Sequence, residues 1–200
     1  MHSEGAIDKL LSGNYKEISN ELSIETHPLE CAYILFLKGD IRRVLDILSS
    51  IDSIRANWLR ELVNLVATSK MQNVTYFQIR NFLELDIDLF IKSERVDYLE
   101  ALLCYADKLS EVNNESYKLI ARVLFNDKLY SLSKYYLDKY KDLIYYDPEL
   151  HFIYAKYYIH EKDYCSALQA INRCLQVLPA YYPAIKLRDE IQYCLSNVPS

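Results

Sequence analysis

Residues 148–179 read PELHFIYAKYYIHEKDYCSALQAINRCLQVLP. Apolar and aromatic residues recur at helical spacing on both sides of a polar turn. His151, Tyr154, Ala155 and Tyr158 share one face of a first helix. Tyr164, Ala167, Leu168, Ile171, Cys174 and Leu175 share one face of a second. The turn between them is His160 to Asp163, with Asp163 placed to cap the second helix. Pro179 ends that helix, because proline lacks the N–H and restrains the residue before it. Ala155 and Ala167 are small enough to let two antiparallel helices approach closely, with tyrosines filling the space around the contact.

The same order of residue types occurs 34 residues earlier. Tyr117 precedes His151 at that offset, and so do Ile120 and Tyr154, Ala121 and Ala155, and Leu124 and Tyr158. Tyr130 and Tyr164, Ser133 and Ala167, and Leu137 and Ile171 continue the series. Tyr98 and Ala101 add a third, slightly shorter interval before Tyr130 and Ser133. In length and in residue order this resembles the tetratricopeptide repeat. His151, Tyr154 and Ala155 stand where that family places tryptophan, leucine and glycine, and Tyr158, Ala167, Ile171 and Pro179 fill its later slots. The resemblance implies an all-α, right-handed superhelical solenoid of antiparallel helix hairpins, in which each hairpin buries its face against a neighbour.

Composition agrees with helices. The 200-residue chain has three glycines and five prolines, too few for the turns of an all-β fold. Half of it is apolar or aromatic, which excludes disorder and allows a sizeable core. Nineteen tyrosines suit half-buried helix faces with wet hydroxyls. A net charge of −5 argues against broad nucleic-acid binding, leaving only a local basic patch for such a role. The five cysteines contain no C-x-x-C pair, and four lie on apolar helix faces, so they read as small buried hydrophobes in a reducing, intracellular compartment. No apolar run reaches the length of a membrane span, and the first residues lack the basic and apolar regions of a signal peptide.

Upstream of the repeats, residues 1–95 read as short or irregular hairpins. Ala6, Ile7, Leu10 and Leu11 face inward before Gly13, and Tyr15, Ile18 and Leu22 follow. Cys31, Ala32, Leu35 and Phe36 lead to Gly39-Asp40, then Ile41, Val44, Leu45 and Leu48. Ile54, Trp58, Leu62, Leu65 and Val66 keep helical spacing. Val74 to Lys92 reads as one helix or two, apolar on more than one face, which calls for internal packing or a partner. Phe82, Phe90 and the single tryptophan, Trp58, are the candidate anchors of a homodimer interface. Regular repeats are expected over 96–179, and residues 180–200 as a helix that caps the solenoid or continues into a longer one. The whole is read as one solenoid domain.

Catalytic patterns are missing from the sequence. His151 and His160 are not on one helix face, and neither has a cysteine at zinc-ligand spacing. There is no phosphate-binding glycine loop and no G-x-S-x-G elbow. Asp86 and Asp88 are two apart and diverge on a helix. The expectation is a non-enzyme without metal or cofactor. In the tetratricopeptide family the first helix of each hairpin lines a concave groove. Lys118, Arg122 and Lys156, with Phe125 and Phe152, would point there and could hold an acidic or C-terminal peptide; the alternative is a solvated polar face. The asparagine-rich clamp of chaperone-binding members is not reproduced.

The order of short hairpins, irregular helices and regular repeats ending in LQVLPAYYPAIKL also resembles the N-terminal halves of the tetratricopeptide subunits of the anaphase-promoting complex. That resemblance implies a homodimerising, non-catalytic scaffold arm of a ubiquitin ligase, in nucleus or cytoplasm, whose partners are itself and other protein subunits. A free-standing peptide-binding adaptor or co-chaperone, and an RNA-associated helical-repeat protein, are the alternatives.

Overall fold

Four turns of nearly identical geometry punctuate the chain. In each, one residue takes a left-handed conformation: Gly39 (φ 82°), Glu94 (58°), Lys128 (64°) and Lys162 (61°). The N–H that follows donates back across the helix end, from Asp40 to the Leu35 carbonyl, Arg95 to Phe90, Leu129 to Leu124 and Asp163 to Tyr158, each at 2.8–2.9 Å. These are the capping bonds that satisfy the last carbonyls of a helix and turn the chain sharply into the next. Glycine takes this conformation without steric cost at residue 39; the other three positions carry ordinary side chains. Glu94, Lys128 and Lys162 are spaced by 34 residues, the interval at which the sequence repeats.

The computed structural model describes residues 23–196, and among them there are eleven helices and no strand. The described residues are all-α, in agreement with the expectation from composition. In order these are α1 (Pro28–Leu37), α2 (Ile41–Leu48), α3 (Ile54–Thr68), α4 (Tyr76–Lys92), α5 (Val96–Cys104), α6 (Ala106–Val112), α7 (Ser116–Asn126), α8 (Tyr130–Leu143), α9 (Pro148–His160), α10 (Tyr164–Val177) and α11 (Tyr182–Ser196). The helices expected around Ala6 and Ile18 lie outside the described residues. The chain divides into two compact units, one up to Leu119 and one from Ile120.

In the first unit, α1 pairs with α2, and α3, α4 and α5 pack against one another. Several helices start on side-chain caps, which satisfy otherwise orphaned N–H groups. Ser53 accepts from the Ala56 N–H at 3.1 Å. Thr75 and Gln78 form a reciprocal capping box at the start of α4, which runs unbroken from Tyr76 to Lys92, so the stretch beginning near Val74 is one helix rather than two. Phe36, Phe90 and Tyr98 form an aromatic cluster with ring centroids 4.6–6.1 Å apart. The Tyr98 hydroxyl donates to the Phe36 carbonyl at 3.1 Å, so the buried phenol keeps a partner.

The apolar excess of α4 is mostly absorbed inside this unit. Ile79, Leu83, Ile87, Leu89 and Phe90 are buried, and the exposed large hydrophobic residues of this helix are Tyr76, Phe77 and Leu85. Trp58 and Phe90, expected as interface anchors, are buried at 0% and 1% exposure. That overturns their assignment: side chains this enclosed have no surface to offer a partner. Phe82 is half-buried, with its ring 6.4 Å from that of Trp58.

The second unit carries the hairpin α9–α10, against which α8 and α11 pack. Asp147 accepts from the Glu149 and Leu150 N–H groups, and Asp163 from the Ser166 N–H, so both helices start on aspartate caps. Ala155 and Ala167 are fully buried, as a close helix pair requires. One repeat earlier, Ser133 replaces the alanine. Its hydroxyl donates to the Ala121 carbonyl at 2.8 Å, which satisfies the polar group at zero exposure. Of the cysteines, Cys31 and Cys174 are buried while Cys104 and Cys165 are exposed and Cys194 is intermediate, so two rather than four act as core hydrophobes. Burial pushes the Cys174 thiol up to about 11.

Candidate functional site

The residues expected to line a groove divide between the two units. Lys118 belongs to the first, where it is 6% exposed and its Nζ lies 3.4 Å from Glu115. It is therefore a buried, paired lysine and not the open groove cation of the sequence reading. The other four share the second unit, on α7 and α9, and all are half-buried. The Arg122 guanidinium is ion-paired to Glu149 at the start of α9. The Lys156 ammonium lies 4.8 Å from the centre of the Phe125 ring, a cation over an aromatic face. Burial depresses its pKa from the usual lysine value. Phe152 meets Tyr181 edge-on at 5.4 Å. Tyr130 stacks on His160 at 3.6 Å and meets Phe125 edge-on at 5.2 Å.

The result is a strip of interlocked rings and cations: Arg122 with Glu149, Lys156 with Phe125, and Phe152 with Tyr181. Helical phase alone placed Arg122, Phe125, Phe152 and Lys156 on adjoining helices. Tyr181 and Glu149 escaped it, since Tyr181 precedes α11 and Glu149 reads as an ordinary first-turn acid. The strip offers aromatic area and one charge-bearing lysine over a ring, features of a protein-contacting surface. It offers no nucleophile–base pair. Among the described residues no group of three or more histidine, cysteine, aspartate or glutamate side chains is placed to hold a metal. None of the described helices is long and apolar enough to cross a membrane.

Asp86, which the sequence separates from Asp88 on the helix, is not a solvent-facing acid. It is 0% exposed, deep in the first unit. Its carboxylate accepts from Arg55 Nη2 at 2.7 Å, Trp58 Nε1 at 2.5 Å and the Tyr33 hydroxyl at 3.5 Å. The Arg55 guanidinium lies over the rings of Tyr33 and Phe82, at 4.7 and 4.6 Å. Burial pushes the Asp86 carboxyl above the usual range, while Arg55 and the three donors pull the other way. The cluster ties α1, α3 and α4 together and lies in the packed interior, which marks it as architecture. No protein-family model, curated protein or solved structure matches the chain.

Proposed function

We propose that the chain is a non-catalytic protein–protein interaction scaffold of tetratricopeptide type, whose hairpins stack as a right-handed solenoid. The observation that carries this reading is the recurrent turn at Glu94, Lys128 and Lys162, with the same capping bond at the interval of the sequence repeat. A fold built from one repeated unit presents repeated helix faces, and such faces serve extended partners rather than small substrates. The aromatic and cationic strip of α7 and α9 is the contact surface, and an acidic or C-terminal peptide segment is its ligand.

The test is fluorescence anisotropy with short acidic peptides bearing free or amidated C-termini. Binding should weaken on Phe152→Ala and on Lys156→Ala. Binding indifferent to both substitutions would remove the strip from the reading. The narrower scaffold reading, a homodimerising arm of a ubiquitin ligase, would need anchors other than Trp58 and Phe90. What α4 leaves exposed for that purpose is Tyr76, Phe77 and Leu85.

A further inference from the structure

A recess opens in the unit beginning at Ile120, on different side chains from the strip. It is a cleft of about 90 Å³ between α8, α9 and α10. His151, Tyr154 and Tyr158 of α9 line it, with Gln169 and Arg173 from α10 and Lys141 from α8. His151 and Tyr154 are 4% and 6% exposed, while Lys141, Gln169 and Arg173 are exposed around them. The volume is far below the few hundred cubic ångströms of a cofactor pocket, yet it exceeds what one water fills. A single side-chain head group is the size that fits.

The lining carries positive charge only, with Asp138, Asp142 and Asp147 just behind it. No acid lines the cleft, and neither Lys141 nor Arg173 has an ion-pair partner among the described residues. Nearby acids are mostly committed. Asp138 is held by Lys134 at 2.6 Å and by the Tyr154 hydroxyl at 2.5 Å, and also feels the charge of Lys141. Asp147 caps α9 and accepts from Tyr140 at 2.7 Å. Asp142 acts on Tyr154 from the α8 side, without a described cationic partner. His151 is fixed by its own bond, Nε2 donating to the Tyr145 carbonyl at 2.8 Å, which leaves Nδ1 as the acceptor of the neutral ring.

We propose that this cleft binds an oxyanionic head group, a phosphoryl or a carboxylate, carried by a side chain of a partner peptide. Arg173 and Lys141 supply the charge, and the Gln169 amide and Tyr158 hydroxyl supply further donors. Arginine suits such a group because its planar fork matches two oxygens at once. The recess would give the scaffold a contact that depends on the charge state of its partner, distinct from the aromatic strip.

His151 is the reporter. Burial depresses its pKa, against the hydrogen bond to the Tyr145 carbonyl; of the charges around it, Arg173 and Lys141 lower the pKa further and Asp147 raises it. An anion seated among these groups must raise it, because opposite charge favours the protonated ring. The experiment follows the His151 ring protons by NMR as a function of pH, using the full chain and assigning them with His151→Gln. The probes are inorganic phosphate and one short peptide in serine, phosphoserine and glutamate forms. The phosphoserine form is expected to raise the His151 pKa and to bind about tenfold or more tighter than the serine form. The Lys141→Gln/Arg173→Gln double variant, with both changes at exposed positions, should lose that difference, whereas Lys70→Gln should keep it. A comparable effect of the glutamate form makes carboxylate a natural ligand, and competition by inorganic phosphate confirms a shared site. Equal binding of the serine and phosphoserine forms, or binding that survives the double variant, would overturn the proposal.

Discussion

Gly39 and Asp86 show how much a single residue decides. An added Cβ at Gly39 would meet nothing within 4 Å, so any cost of Gly39→Ala comes from the backbone alone. With φ at 82°, that cost is about 1–2 kcal/mol of unfolding free energy, read by urea denaturation. An unchanged midpoint would mean that the turn relaxes without the left-handed conformation. Asp86 works through partners. Removing it leaves the Arg55 guanidinium buried without its anion, so Asp86→Ala should cost about 3–5 kcal/mol. The double change Arg55→Met/Asp86→Leu should cost less than Asp86→Ala alone, since it removes both charges together. Additive losses would show that the two side chains act independently. The sequence held a signal for this residue: Asp86 is in helical phase with Ile79, Leu83 and Phe90, the buried stripe of α4. Its partners, 28, 31 and 53 residues away, could not be read from that spacing.

At the scale of helices, small residues and a buried histidine set how closely hairpins pack. Ala155→Leu should overpack the α9–α10 pair and cost about 1–3 kcal/mol, measured by thermal or urea unfolding. His151 joins the α8–α9 connection through the Tyr145 carbonyl, and burial lowers its pKa. A depressed folded-state pKa means that the neutral ring is preferred in the fold. Its contribution is therefore complete above the ordinary histidine range and is lost as pH falls below about 6.5 through the folded value. Stability should decline as pH falls below about 6.5, and His151→Gln should flatten that part of the profile. A profile unchanged by the substitution would assign the decline to other groups. The α9–α10 hairpin was legible because Ala155, Ala167, Asp163 and Pro179 report packing, capping and termination locally. The break at Tyr105 between α5 and α6 was not legible, because no glycine or proline marks it.

For the molecule as a whole, the question is what its surface can hold together. A stable homodimer buries on the order of 1,200–2,000 Å² around a few large, desolvated anchors. The sequence placed Trp58, Phe82 and Phe90 in that role because α4 carries apolar residues around its circumference. Periodicity counts apolar faces but does not say how many neighbours cover them. Here α3 and α5 both pack on α4, and Trp58 and Phe90 are consumed by that packing. What α4 leaves outside is Tyr76 at 50%, Phe77 at 54% and Leu85 at 39% exposure, and a few exposed apolar side chains of this kind are ordinary on monomeric proteins. The full chain is therefore expected to sediment as a monomer at micromolar concentration. The double variant Phe77→Ser/Leu85→Ser should sediment identically, at little cost in stability because both side chains are already exposed. A full-length dimer in sedimentation equilibrium would reject this expectation. Its loss in the double variant would then place the interface on α4 after all, reached through its solvent-facing side rather than through Trp58 and Phe90.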